Sequence, residues 1–235
     1  MAINIFAVDG DSAVKQDAYE DSPIVGRFRA GYQVNKLPVG LSAWRFTTSD
    51  KKVAGKIAEL LGSEDDNPVS EWDTSTGEIY QVFTTSDEVD IVLDGRGSAK
   101  ASLVLWGAQS KILETDGSYL YDDDGKITED RCDMTYGKTL KELKEMARVG
   151  KGPKPNLQVY FTIAAAPELG KMRFYAGAWT AMDEFDEASD IMETAKSPQL
   201  FSLEMEKNEF TNDKGEVIKY TRPRLIHKGD AEEPF

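Results

Sequence analysis

Cysteine and histidine are almost absent from this chain: one of each, Cys132 and His227, in 235 residues. A lone cysteine cannot close an intrachain disulfide or supply a multi-cysteine zinc site, so neither a cross-link nor a structural metal is expected, and the composition fits a reducing compartment. The lone histidine stands among Arg222, Arg224 and Lys228 and reads as a surface residue, not a general base. No Ser-His or Cys-His set with a third orienting group can be assembled. Basic residues are also in deficit, 28 Lys and Arg against 42 Asp and Glu, for a net charge of -14. That excess of negative charge works against non-specific adhesion to a phosphate backbone. Missing too is any run near the ~18 apolar residues a membrane helix needs. The opening MAINIFAV is far shorter, and Asp9 and Asp11 follow it. The expectations are no catalytic residue, no cofactor, no metal and no membrane contact, in a protein that stays in the cytoplasm.

What the chain does have is burial material. Apolar residues make up 40%, and Trp44, Trp72, Trp106 and Trp179 stand among many Phe and Tyr, so the chain can build a sizeable core. Leu41 to Thr48 reads as a strand, rich in aromatic and β-branched residues. Ser49 or Asp50 then offers an N-cap to a helix whose Val53, Ile57, Leu60 and Leu61 share one face, and Gly62 stands where a left-handed residue ends it.

Further strands are expected at Ile3 to Val8, Glu78 to Phe83, Val89 to Leu93 and Ala101 to Trp106. The Asp-rich stretch Thr115 to Asp130 fails as an EF-hand: with Gly125 as the central glycine, Leu120 and Arg131 fall at the first and last ligand positions. Its Asp116-Gly117 and Asp124-Gly125 dipeptides read as turns. Thr139 to Val149 patterns as a short helix, and Gly150 to Pro155 as a linker whose prolines forbid a phosphate-loop helix. Leu157 to Ile163 and Met172 to Trp179 read as strands, Met182 to Ala195 as a helix stopped by Pro198, and Leu200 to Phe210 with Val217 to Ile226 as a long hairpin turning at Asn212 to Gly215.

The expected fold class is α+β, with twisted, mostly antiparallel sheets and a few short helices; the element order from Leu157 onward also fits an OB-like barrel in the C-terminal half. The chain divides into an N-terminal α+β region over 1–110, a variable hairpin, helix and linker over 111–155, a β-rich region over 156–228 and an acidic tail over 229–235.

The run from Ile24 to Gly62 resembles the opening of the recombination directionality factor-like proteins of phages. The likeness rests on Gly26-Arg27-Phe28-Arg29, Gly31, Val34-Asn35, Pro38, Trp44-Arg45 and Thr47-Thr48, and extends loosely through Leu103 to Gly107, Asn156 to Ile163 and Phe174 to Trp179. Some members carry several cysteines centrally, a pattern this chain lacks. The resemblance implies a non-enzymatic regulator in the cytoplasm of the bacterial host. Such a factor binds a large serine integrase at its coiled coil and C-terminal DNA-binding region, reaches DNA only through it, and switches it from integration to excision (attL x attR).

Candidate contacts follow. Arg27, Phe28, Arg29 and Tyr32 form a basic-aromatic stretch without core periodicity, read as a loop offered to a partner; alternatively, Phe28 packs inward and the arginines neutralise nearby acids. Phe235 ends an acidic tail, HKGDAEEPF, similar to the partner-recruiting tips of single-stranded DNA-binding proteins. A second function therefore stands beside the first: a phage single-stranded DNA-binding or replication-accessory protein. Tyr160, Phe161, Phe174, Tyr175 and Trp179 would stack bases, and the lysines between Lys138 and Lys154 would hold phosphates.

Overall fold

Strands dominate, and where apolar and polar residues alternate, as in Glu88–Leu93 and Lys154–Ile163, a period of two buries one face of a sheet. A computed structural model describes residues 23–34, 37–63, 66–72, 77–211 and 215–231. The expected strand Ile3 to Val8, most of the 212–215 hairpin tip and Phe235 lie outside the described residues.

The elements run β1 (Gly26–Val34), β2 (Leu37–Thr48), α1 (Lys51–Leu61), β3 (Ser70–Glu71), β4 (Tyr80–Phe83), β5 (Glu88–Leu93), β6 (Ala99–Trp106), β7 (Lys111–Thr115), β8 (Tyr119–Tyr121), β9 (Ile127–Arg131), α2 (Leu140–Arg148), β10 (Lys154–Ile163), β11 (Met172–Ala176), α3 (Met182–Thr194), β12 (Gln199–Thr211) and β13 (Val217–Asp230). The class is α+β, as expected.

The main sheet has the order β3-β4-β2-β1-β11-β10-β6-β7-β8-β9, and β5 joins the far end of β10 to the β12–β13 hairpin. Only β1 beside β11 is parallel among the described pairs; the rest are antiparallel. The OB-like barrel is not formed. Among the described residues the path ends at β3 and at β9, and β13 pairs only with β12. Closure fails because β11 hydrogen-bonds to β1, a strand from far upstream, instead of turning back within the C-terminal half.

Local signals fix the helices. Asp50 Oδ1 accepts the Lys52 N–H at 2.7 Å to cap α1, and Gly62 ends it at φ 71°. Thr139 and Glu142 form a reciprocal capping box at the start of α2. The linker is shorter than the sequence suggests: Lys154 and Pro155 already belong to β10, opposite Val104 and Leu103. In the other direction, β11 stops at Ala176, and Trp179 begins a 3-10 turn that leads into α3. Asp116 Oδ1 accepts the N–H groups of Ser118 and Tyr119 at 2.7 and 2.6 Å, so its carboxylate closes a turn.

The inward face carries the core. Phe28 lies within 5.2 to 6.0 Å of the rings of Phe46, Phe161 and Trp44, and Phe174 links Trp44 to Phe185 of α3. The opposite face of β10 shows Asn156, Gln158, Tyr160 and Thr162, each only partly covered. One side of the central sheet is therefore buried under α3 and the other faces water.

Candidate partner-docking surfaces

The stretch read as a loop is strand β1, and of the two readings of Phe28 the structure has the inward one. Phe28 is 2% exposed and belongs to the core, so it is not available to a partner. Strand alternation was hidden because Gly26, Ala30 and Gly31 interrupt the apolar pattern; Gly31 follows a register shift in the pairing with β2. Arg27 and Arg29 point to the water-facing side, where both pair with Glu78 at 2.7 and 2.9 Å.

Around them β1, β2 and β4 assemble a cation-aromatic layer. Arg45 lies opposite Arg29 in the register and stacks 4.1 Å above the Trp72 ring, flanked by Tyr32 and Phe83 at 5.8 Å. Burial first, and then the Arg29 charge, pulls the Arg45 guanidinium below its ordinary value; it stays a cation all the same. Tyr32 is thus partly covered and engaged with Arg45 and Phe83. Phe235 is outside the described residues.

The five stacking candidates separate by strand parity. Phe161 and Phe174 are wholly buried, Tyr175 is 49% exposed, and Tyr160 and Trp179 are partly covered. The acids Asp183, Glu184, Asp186 and Glu187 at the start of α3 have divergent surroundings. Glu184 is drawn into ion pairing with Arg224, and burial, reinforced by Asp190 and Asp183, raises Asp186 to about 7. His227 is exposed and sits 2.9 Å from Gln199 Oε1, against the Phe201 ring. Cys132 is buried. Among the described residues no group of three or more His, Cys, Asp or Glu side chains could hold a metal ion, and no helix is long and apolar enough to cross a membrane.

Sequence reasoning found the β12–β13 hairpin but missed what it displays. β5 supports β12 from Gln199 to Glu204, and the Met205 N–H still reaches the Asp87 carbonyl at 2.8 Å; beyond it, to Thr211, β12 pairs among the described residues only with β13. The root is fastened twice. Thr221 Oγ1 donates to the Leu41 carbonyl at 2.6 Å, and an ionic chain runs from Glu184 of α3 through Arg224 and Glu206 to Arg222, with contacts of 2.8, 3.1 and 2.6 Å. Hydrogen bonds from Asn208 and then Arg222 hold the Glu206 carboxyl down at about 2. Beyond Thr221 the ribbon extends for roughly 14 Å to Thr211, and there Phe210, Ile218 and Tyr220 occupy one face, 52%, 39% and 46% exposed. Phe210 and Tyr220 meet edge to face at 6.0 Å. The available signal was the period-two placement of these residues at the far end of a hairpin, where no core remains to receive them.

A projecting two-stranded ribbon with an apolar tip, on a body without an assembled catalytic set among its described residues, is suited to protein contact. No solved structure matches the chain. A family model described as Gp3-like, recombination directionality factor-like, matches residues 25–226, most of the chain, and the protein belongs to that family.

Proposed function

We propose that this protein is the directionality factor of a phage serine integrase, binding the integrase by protein contact in the host cytoplasm and switching it from integration to excision. Family membership makes it a recombination accessory protein. The observation that carries the finer reading is the ribbon arm: three large apolar side chains held in water beyond the last supporting strand. An apolar face of this size on a rooted, two-stranded arm suits the apolar flank of a projecting coiled coil.

The required energy is bounded. Turning a 1:99 preference between synaptic states into 99:1 takes about 5.5 kcal/mol of differential binding. The exposed parts of Phe210, Ile218 and Tyr220 amount to roughly 250 Å² of surface, whose burial is worth about 6 kcal/mol before the costs of association. The arm can thus supply a large share of the switch only if it docks on one integrase state and not the other.

The test is a recombination assay with purified cognate integrase, on hybrid sites and on the original pair, with and without this protein. Promotion of the hybrid-site reaction with suppression of the original one is expected. The double substitution Phe210→Ser with Tyr220→Ser should keep the fold and weaken integrase binding at least 30-fold, the scale of an interface hot spot. No effect of the intact protein on either reaction would refute the function; an unaffected double variant would move the contact off the arm.

A further inference from the structure

The water-facing side of β10, β11 and β1 combines cations and aromatic rings in a way the integrase contact does not use. Register places Arg173 between Tyr160 on one side and Arg27 on the other, and Tyr175 beside Gln158. All five side chains stand on the face opposite the core, because their neighbours Phe28, Val159, Phe161, Met172 and Phe174 are buried. Two arginines side by side on adjacent strands repel each other. Glu78 answers Arg27, whereas Arg173 has no ion pair among the described residues, and the Nε groups of both are shielded from water without an acceptor. In a chain of net charge -14, Arg173 is left without an anion.

The same face continues to Lys154, at the start of β10. Lys154 borders a shallow cavity of about 320 Å³ that it shares with Lys144 and Arg148 of α2 and with Gly177 and Trp179. Lys144 and Lys154 form no ion pair among the described residues; Arg148 is held by Glu145 at 2.6 Å on the surface, a pairing that solvent screens and a phosphate can replace. Between the two cationic ends, Tyr160 donates to Gln158 Oε1 at 2.7 Å, and Gln158 reaches Asn156 at 3.4 Å. The strand thereby displays a polar ladder flanked by the exposed Tyr175 ring. From Lys154 to Tyr160 the distance along the strand is roughly 20 Å.

We propose that this sheet face binds single-stranded DNA, with phosphates at Arg173 and Arg27 and at the Lys154, Lys144 and Arg148 cluster, and with bases against Tyr175 and Tyr160. Charge complementarity selects a polyanion. The rings select an unpaired strand, because bases inside a duplex present only their edges and a broad sheet face does not enter a groove as a helix or a two-stranded ribbon does. Binding here is direct and separate from the contact made by the arm.

The experiment is fluorescence anisotropy of the whole chain with labelled oligothymidylate of about 16 nucleotides, at 50 and 200 mM salt, without integrase. Five phosphate contacts give a log-log salt slope of about -3.5, a loss of roughly 130-fold between those salts. Tyr175→Ala should weaken binding about 5- to 100-fold with the slope unchanged. Lys154→Gln with Arg173→Gln should flatten the slope by about 1.4. The exposed Lys154→Gln alone should flatten it by about 0.7, and it leaves the core untouched. Phe210→Ser with Tyr220→Ser should bind DNA as the parent does, which separates this site from the arm. Absence of binding at 50 mM salt would overturn the assignment. So would equal affinity for a duplex or for RNA of the same length, or displacement by the peptide GDAEEPF at concentrations where DNA binds, since that face would then be taking carboxylates.

Discussion

Replacing Phe28 with alanine tests whether β1 is an interface or a core strand. The ring is 2% exposed and meets Trp44, Phe46 and Phe161 at 6.0, 5.2 and 5.7 Å. Those neighbours are held on β2 and β10, on both sides of the site, so the space left by the ring cannot collapse. A Phe-to-Ala change in such a setting costs about 3–5 kcal/mol, and the loss of three aromatic contacts places it toward the upper end. For a chain of this size that is a fall in melting temperature of roughly 6–20 °C. Urea denaturation followed by tryptophan fluorescence reads it directly, with Trp44 as a reporter beside the substitution. Adding Arg27→Lys should cost less than about 1 kcal/mol more, because the charge facing Glu78 is kept. A loss below about 1.5 kcal/mol for Phe28→Ala, together with weakened integrase binding, would refute the core assignment and restore β1 as the contact.

Three further outcomes are expected. Asp186, raised from 3.8 to about 7 by burial and then by Asp190 and Asp183, holds its proton more tightly when folded, so its ionisation subtracts stability as pH rises through that interval and nothing below it; Asp186→Asn should therefore stabilise by about 1–2 kcal/mol at pH 8, after discounting for partial exposure, with no gain near pH 3.5, by thermal melts at both. Glu184→Gln should cost about 1–3 kcal/mol at the arm root, since Arg224 and the Leu225 N–H both use that carboxylate, and hydrogen exchange should quicken at Leu225. Gly31→Ala would set a Cβ 2.6 Å from the Val39 carbonyl oxygen; a loss of about 1–3 kcal/mol in urea denaturation is expected from the forced shift of β1 against β2.

Elements defined by neighbouring residues were legible in the sequence. Asp50 and Gly62 bracket α1, Thr139 with Glu142 opens α2, and alternation marks β10 and the two arms of the hairpin. What depended on distant partners was not. Phe28, Phe161 and Phe174 look like surface aromatics beside arginines and tyrosines until the register assigns them to the inner face. The layer of Arg45 and Trp72 joins residues from separate strands, with Trp72 just past β3, so no local pattern announces it. The apolar tip of the arm was legible as hydrophobic residues, but its exposure follows from where β5 stops supporting β12. Family likeness in Gly26 to Arg29 came from a strand that the core and the open face share, so that recognition and contact are different properties of the same residues.

The parallel pairing of β1 with β11 also sets a clock on biosynthesis. β1 ends at Val34 and its partner is complete only at Ala176. At a synthesis rate of about 5–20 residues per second, the intervening chain takes roughly 7–30 s to appear. During that time the edge of β1 that will later face Met172 to Phe174 has no partner strand, although Phe28 can already meet Trp44 and Phe46 of β2. An unpaired strand edge is a template for pairing with other chains, so this non-local parallel pairing is the step of folding most exposed to aggregation.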